Sequence, residues 1–470
     1  MEFLQILDSE VRPGGLTEWV PAAAGGMGSW RRDPRGTSHN HEHHLRAAHE
    51  YRRRTQREGG RESWLGVSVE FAEQISLPVV RRALEAYIDR HEVLRTHVTL
   101  SEGTERFTTG PGSVHLRATR IGWYNDPALL LDQIAGSIDR ATAPVHWPAY
   151  RFATVARAGS FTLLFAADHS LVDGYSLVHA QHEFRELYAA ARDGRLPELP
   201  STGSYLDYSG AEREAADAAD ERHPAVAVWR EFLAGDTVLP GFTPRPLTAP
   251  HRSSPDRPAA PADPADPAAQ RSHTTLLLDD AETERFTRLC TGLDGSLTGG
   301  FLAVAAQTYR DHSEATRFAT VMPRHTRTHA EFHTALGWFV ALAPISIDVS
   351  DAPDFPLALQ RAMLSLDRAR EGSALPLLRL AEILGFDPEP RFVVSFMDTR
   401  GVPGAASADS GGARALRSHS YSDDEVYVWI NRTPSGLRMH TRYPAHGRAR
   451  ALQDFLDDFG DRLHKLATRR

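Results

Sequence analysis

The sequence predicts a mixed α/β fold, an α+β sandwich formed in each of two lobes, and three observations carry that expectation. The chain's 470 residues exceed one ordinary compact domain, so two lobes of roughly 200 residues each are expected. A stretch from Phe242 to Ser272, crowded with Pro, Ala, Asp and Ser, can neither propagate a helix nor join a central strand. On both sides of it, short apolar runs of strand type are mixed with segments of helical apolar spacing. The expected organisation is an N-terminal lobe over residues 1–241, a linker or surface loop over 242–272, and a C-terminal lobe over 273–470.

From Leu77 to Arg95, apolar residues at Val80, Ala83, Leu84, Tyr87, Ile88 and Leu94 recur at helical spacing. Phe161 to Ala167 is a short, mostly apolar run rich in aromatic and branched side chains, consistent with a buried strand. It leads directly into Asp168-His169-Ser170-Leu171-Val172-Asp173-Gly174. Leu177, Ala180, Phe184, Leu187, Tyr188 and Ala191 then mark a helix that Gly194 stops. In the second half, Ser296 to Tyr309 reads as helix and Arg391 to Met397 as buried strand. Val426, Val428 and Ile430 alternate with Tyr427, Trp429 and Asn431, and Pro434-Ser435-Gly436 turns that strand into a hairpin. A final amphipathic helix carries Ala451, Phe455, Phe459 and Leu463 on one side.

Composition excludes several function classes. With 41% hydrophobic and 24% charged residues the chain is of globular type, and no run of about 18 apolar residues is available to cross a bilayer. The N-terminus lacks a secretory pattern and Cys290 is the only cysteine, so no intramolecular disulfide forms and a cytoplasmic protein, monomeric, is expected. A net charge of −8 offers no basic footprint for nucleic acid. Lys465 is the only lysine, which removes a Walker P-loop and an internal Schiff base. No G-x-S-x-G elbow presents a nucleophilic serine.

Other residues stand out less. His41-Glu42-His43-His44 lacks metal-ligand spacing, and a solvated helix start is one of its two readings; His329 with His333 forms His-Ala-Glu-Phe-His rather than HExxH and reads as surface or as close support of a site, so no metal is expected. Gly299-Gly300 suits close helix packing, and Trp338 and Trp429 weigh towards core positions rather than ligand platforms.

His169 is the residue whose setting suits chemistry. Imidazole titrates near neutrality, so it can take a proton from a hydroxyl or amine and return it to a leaving thiolate. Asp173, four residues on, suits pairing with a distant arginine to hold the loop, and Gly174 permits a sharp or close backbone path. With 23 histidines in the chain, such a pair also arises by chance, and the ordered motifs around it decide.

The HxxxDG segment, Arg90-His91-Glu92-Val93-Leu94-Arg95-Thr96, Tyr205-Leu206-Asp207-Tyr208, Trp229 to Leu233, and Arg327 to Phe332 followed by Leu336-Gly337-Trp338-Phe339-Val340 occur in order. Together they resemble the condensation-domain superfamily of carrier-dependent acyltransferases, which includes chloramphenicol acetyltransferase. Pro323 to His329, Leu336 to Phe339, Ser395 to Arg400 and Val428 to Arg432 resemble most the polyketide-associated, Pap-type acyltransferases of actinobacteria, which esterify hydroxyl acceptors such as trehalose-based glycolipids.

The resemblance implies two chloramphenicol-acetyltransferase-like lobes in a V with the active site at their interface. It implies transfer of an acyl group from a carrier-protein or coenzyme A thioester to a hydroxyl, with His169 as general base and no bound cofactor. Asp173 would pair with Arg327, Arg324 being the second candidate, while Gly174 shapes the loop and Trp338 lies close behind. By the same resemblance His41-Glu42-His43-His44 lies near a segment that helps line the acceptor side, a reading as open as the solvated helix start. An amide-forming condensation enzyme and a non-catalytic recruitment domain are the alternatives, the latter commonly having degraded motifs where His169, Asp173 and Gly174 are present here. Asp168 stands where many relatives carry a first histidine. It would raise the pKa of His169 if close, but adjacent strand positions face opposite ways, so a small effect is expected.

Overall fold

Strands and helices are interspersed along the chain in the computed structural model, which describes residues 1–56, 63–100, 102–243, 270–419, 422, 424–445 and 449–469. Two units form. The first comprises Met1–Ala218, His325–Val340 and Gly401–Ser420, the second Ala219–Arg324, Ala341–Arg400 and Tyr421–Arg470. Residues from both sides of the 242–272 stretch thus build the first unit; that stretch itself lies for the most part outside the described residues.

The first unit is built on a seven-stranded sheet, in spatial order Glu2–Gln5, Arg414–Arg417, Trp64–Phe71, Ser160–Asp168, Tyr150–Arg157, Gly14–Ala23 and Val114–Tyr124. Its neighbours run antiparallel except for the first pair, Glu2–Gln5 with Arg414–Arg417, which is parallel. Ser160–Asp168 lies at the centre and is buried from Phe161 onward, which is why its sequence is an apolar run without alternation. On one face Leu164, Ala166 and Val155 pack beneath Leu130, Ile134 and Ile138 of the helix Pro127–Ala141. On the other, Phe165 and Phe152 meet Tyr87 and Phe184, from the helices Leu77–Arg90 and Gly174–Asp193, in a cluster of ring contacts with centroids 4.4–6.3 Å apart. Helices therefore cover both faces of the strand that ends at His169. A small sheet of Arg31–Asp33, Thr104–Thr108 and Thr96–Leu100 belongs to the same unit.

The helix Leu77–Arg90 stops earlier than its apolar spacing predicts, and Glu92–Arg95 continues as a 3₁₀ turn. Arg90 Nε and His91 Nε2 reach the buried Glu183 carboxylate at 3.0 and 2.6 Å, while Arg95 donates to the carbonyls of Ile88, Asp89 and Thr109. The RHxxLRT segment is thus a clamp between the helix Leu77–Arg90 and the helix that carries the HxxxDG aspartate.

The second unit holds a six-stranded sheet in the order Arg271–Asp279, Gly436–Tyr443, Val426–Thr433, Phe392–Asp398, Arg317–His325 and Val340–Asp348. Val426, Val428 and Ile430 face the helices Leu297–Asp311 and Ala449–Thr468, as their alternation predicts. Gly299 and Gly300 serve packing: a Cβ on Gly300 would lie 2.4 Å from Cys290 Sγ, and one on Gly299 2.5 Å from Met363 Sδ. Among the described residues no helix is long and apolar enough to cross a membrane.

Candidate active site

The strand Ser160–Asp168 delivers His169 into a closely held turn. Asp168 N–H donates to Ala149 O at 2.9 Å, His169 N–H to Ser63 O at 3.1 Å and Leu171 N–H to Asp168 O at 2.9 Å. The imidazole leans on Trp338, with centroids 4.5 Å apart and planes tilted by 37°. Its Nδ1 is sealed from solvent with no hydrogen bond of good geometry among the described residues, whereas Nε2 is not sealed. Burial pushes the imidazole below its ordinary pKa; His44 adds in the same direction, and Asp168 and Asp173 oppose. The ring is therefore neutral at pH 7, the form that accepts a proton.

Asp173 caps the helix Gly174–Asp193, its Oδ1 accepting the N–H of Ser176 at 2.8 Å and the Ser176 hydroxyl at 2.9 Å. Arg327 meets it in bidentate fashion, Nη1 to Oδ2 at 2.6 Å and Nη2 to Oδ1 at 2.9 Å, and Phe339 N–H donates to Oδ2 at 3.0 Å. Arg327 Nη2 also donates to Ala335 O at 3.1 Å, and the guanidinium lies 4.3 Å from the Phe339 ring centroid. Burial by itself raises the Asp173 carboxyl; Arg327 and Ser176 overcome it and hold the pKa below the ordinary carboxylate value. The segment 325–340 is in this way tied to the helix start, and it carries Trp338 to His169.

Arg324 lies on the strand Arg317–His325 and belongs to the second unit, while the partner of Asp173 is Arg327. Gly174 opens the helix without a positive φ, so its place in the loop is not a left-handed one. Gly337 has a sharper requirement, because a Cβ there would lie 2.4 Å from a Tyr205 ring carbon. Gly337→Ala is expected to cost about 1–3 kcal/mol through overpacking and to lower turnover by shifting the adjacent Trp338. Urea unfolding alongside a rate assay tests this, and an unshifted midpoint would count against it.

Asp168 has a minor part in the electrostatics of His169, as expected, and its own partners lie elsewhere. Its Oδ2 accepts the Ser63 hydroxyl at 2.9 Å and His44 Nε2 at 3.0 Å. Burial would raise this carboxyl, but His44 and Ser170 bring its pKa down to about 2. The reading of His41-Glu42-His43-His44 as a solvated helix start needs correction. Ser38 caps the helix His39–Thr55, His39 and His41 are buried, and His44 is directed to Asp168. Sequence reasoning missed His44, although one signal was present: a lone carboxylate in place of a histidine asks for a cation, and this helix start supplies four histidines. His329 and His333 are exposed, as expected. Trp338 and Trp429 are half-buried and not core residues: Trp338 faces His169, and Trp429 stacks on Tyr427. Among the described residues no group of three or more His, Cys, Asp or Glu is placed to hold a metal ion.

Burial leaves three other histidines of this unit neutral, His41 at about 3, His97 at about 4 and His179 at about 4. Between pH 4 and 6.5 the unfolded chain binds protons at these sites that the folded chain refuses. Stability is thus expected to fall as pH drops through that window, by up to about 1.4 kcal/mol per pH unit for each histidine. Glu212, raised by burial to about 7, takes up a proton in the folded state and offsets one of them. Urea midpoints at pH 7 and pH 5 check the sign; a midpoint that rises at pH 5 contradicts it.

Comparison with known proteins identifies the family. Residues 56–396 match the family model of the condensation domain. Acyltransferase PapA3 of Mycobacterium tuberculosis is 25% identical over 395 residues, covering 82% of this chain and 79% of the relative. The 2'-acyl-2-O-sulfo-trehalose (hydroxy)phthioceranyltransferase PapA1 of Mycobacterium bovis is 26% identical over 368 residues, covering 76% of this chain and 67% of the relative. Among solved structures, a PapA2 acyl transferase superposes with a TM-score of 0.87 at 22% identity, covering 100% of both chains. The chain belongs to the condensation-domain family and is an acyltransferase similar to the Pap-type enzymes.

Proposed function

We propose that this acyltransferase moves an acyl group from a carrier-protein or coenzyme A thioester to a hydroxyl of a sugar-type acceptor, in lipid or secondary-metabolite biosynthesis. The observation that carries the reading is His169: a neutral imidazole with an unsealed Nε2, seated on Trp338 in a loop fastened by Asp173 and Arg327. The acceptor class follows from the trehalose derivatives named for the relatives.

In this reading Nε2 takes the proton of the acceptor hydroxyl while its oxygen attacks the thioester carbonyl. The new C–O bond forms, the C–S bond breaks, and the proton passes from the imidazolium to the leaving thiolate. Asp173 and Arg327 do not touch the reacting atoms; their closed pair holds the loop and the 325–340 segment. Ester rather than amide formation is tested by offering an acyl thioester with trehalose and, separately, with an amine of similar size, and weighing the products by mass spectrometry. Acylated sugar that disappears in His169→Ala supports the reading. Acylated amine alone would point to an amide-forming enzyme, and carrier binding without thioester consumption to a recruitment domain.

A further inference from the structure

Beside His169 lies a charged cluster that the transfer step, as written above, does not use. His44 Nε2 and the Ser63 hydroxyl converge on one oxygen of Asp168, at 3.0 and 2.9 Å, and lie 3.2 Å from each other. The second Asp168 oxygen accepts the N–H of Ser170 at 2.9 Å, so the carboxylate is anchored in the turn that carries His169. Asp168 is 1% exposed and the His44 side chain 16%, which places their interaction where salt screens little. The His44 ring also meets Trp338 edge-on, with centroids 5.8 Å apart at 89°, and the same indole contacts the His169 ring. One tryptophan thus touches both imidazoles.

We propose that His44 is a positioning residue for His169, acting by contact through Trp338 and by its hydrogen bond to Asp168, with Ser63 completing the anchor. This rests on the reading of His169 as the base.

The geometry gives each part a distinct duty. Trp338 is held by its own segment 325–340, fixed at Asp173, and is met by His44 of the helix His39–Thr55, fixed at Asp168. With either tie removed, the indole and the ring leaning on it gain freedom, and misplacement of a reacting group is costly in rate. The charged groups around His169 are His44 on the helix, Asp168 at the end of its own strand, and Asp173 with its partner Arg327. Asp173 is neutralised by a bidentate arginine. Asp168 has no arginine; its partners are His44 Nε2, the Ser63 hydroxyl and the Ser170 N–H. A variant without the His44 ring loses a group that lowers the pKa of His169 and a partner of the buried carboxylate, which favours imidazolium and moves the acid limb of kcat/KM to higher pH.

The test follows acyl transfer against pH for the full-length protein and its His44→Gln, His44→Ala and His169→Ala variants, with thermal melts for folding. His44→Gln can still donate to Asp168 but has no charge. Its acid limb is expected about 0.5–1 pH unit higher, with kcat within several-fold of the parent. His44→Ala loses the ring as well, and its kcat is expected to fall about tenfold or more with KM nearly unchanged. A merely structural role would not move the limb of a folded His44→Gln. If His169→Ala is inactive while His44→Gln keeps the parental limb, the inference is overturned and the base reading stands. If His169→Ala turns over normally, the base reading itself fails. Should His44→Ala fail to fold, the limb of His44→Gln decides alone.

Discussion

Asp173→Ala is expected to lower folding stability by about 3–5 kcal/mol and to abolish acyl transfer, the largest loss of stability foreseen for any single substitution in this protein. The side chains of Asp173 and Arg327 are 2% and 3% exposed, so removal of the carboxylate leaves a guanidinium buried with nothing to balance its charge. The N–H of Phe339, the N–H of Ser176 and the cap of the helix Gly174–Asp193 lose their acceptor in the same step. The pair's own worth is a separate quantity, because two well-packed apolar residues can replace a buried ion pair at little cost. Asp173→Leu combined with Arg327→Met is therefore expected to regain much of the stability lost in either single variant, while transfer stays low because the loop is no longer registered. A double-mutant cycle in urea, read beside activity, measures both. A single variant with the parental midpoint would show that the pair does not hold this loop.

His169→Ala is expected to reduce kcat/KM by about 10²–10⁴-fold, the range contributed by a positioned general base. Stability should change little in comparison, because no hydrogen bond from the imidazole to the described protein is lost and only the contact with Trp338 is given up. For the parent protein, the acid limb of kcat/KM is expected below the ordinary histidine value of about 6.5, since burial lowers the pKa of His169. Activity is then present above that limb and lost as pH falls through it, when the imidazole takes a proton and ceases to be a base. An acid limb at or above 7 would contradict the assignment of a desolvated, neutral ring.

The strand before His169 was legible because eight successive buried positions leave an apolar run, and the following helix because its buried face repeats every three to four residues up to Gly194. The Gly299-Gly300 packing and the 426–443 hairpin were legible for the same reason: each is settled by close neighbours in the chain. Arg327 entered the expectation by resemblance to known motifs and not by any periodicity. Its 154-residue separation from Asp173 leaves no local trace. The parallel pairing of Glu2–Gln5 with Arg414–Arg417 is hidden in the same way.

His44 marks the limit most clearly. Its run of histidines reads as a polar helix start, and only folding decides which of them is buried, which is solvated and which finds a partner. The change from histidine to aspartate at position 168 looked like a local alteration of charge beside the base. The tertiary structure answers it with a histidine 124 residues earlier, because a buried carboxylate must find hydrogen-bond partners wherever the fold can supply them. Short-range periodicity and turn chemistry thus specified the elements, since both are carried by neighbouring residues, and the resemblance of the ordered motifs pointed to His169. The company His169 keeps was decided by burial and charge balance among residues that become neighbours only when the chain has folded.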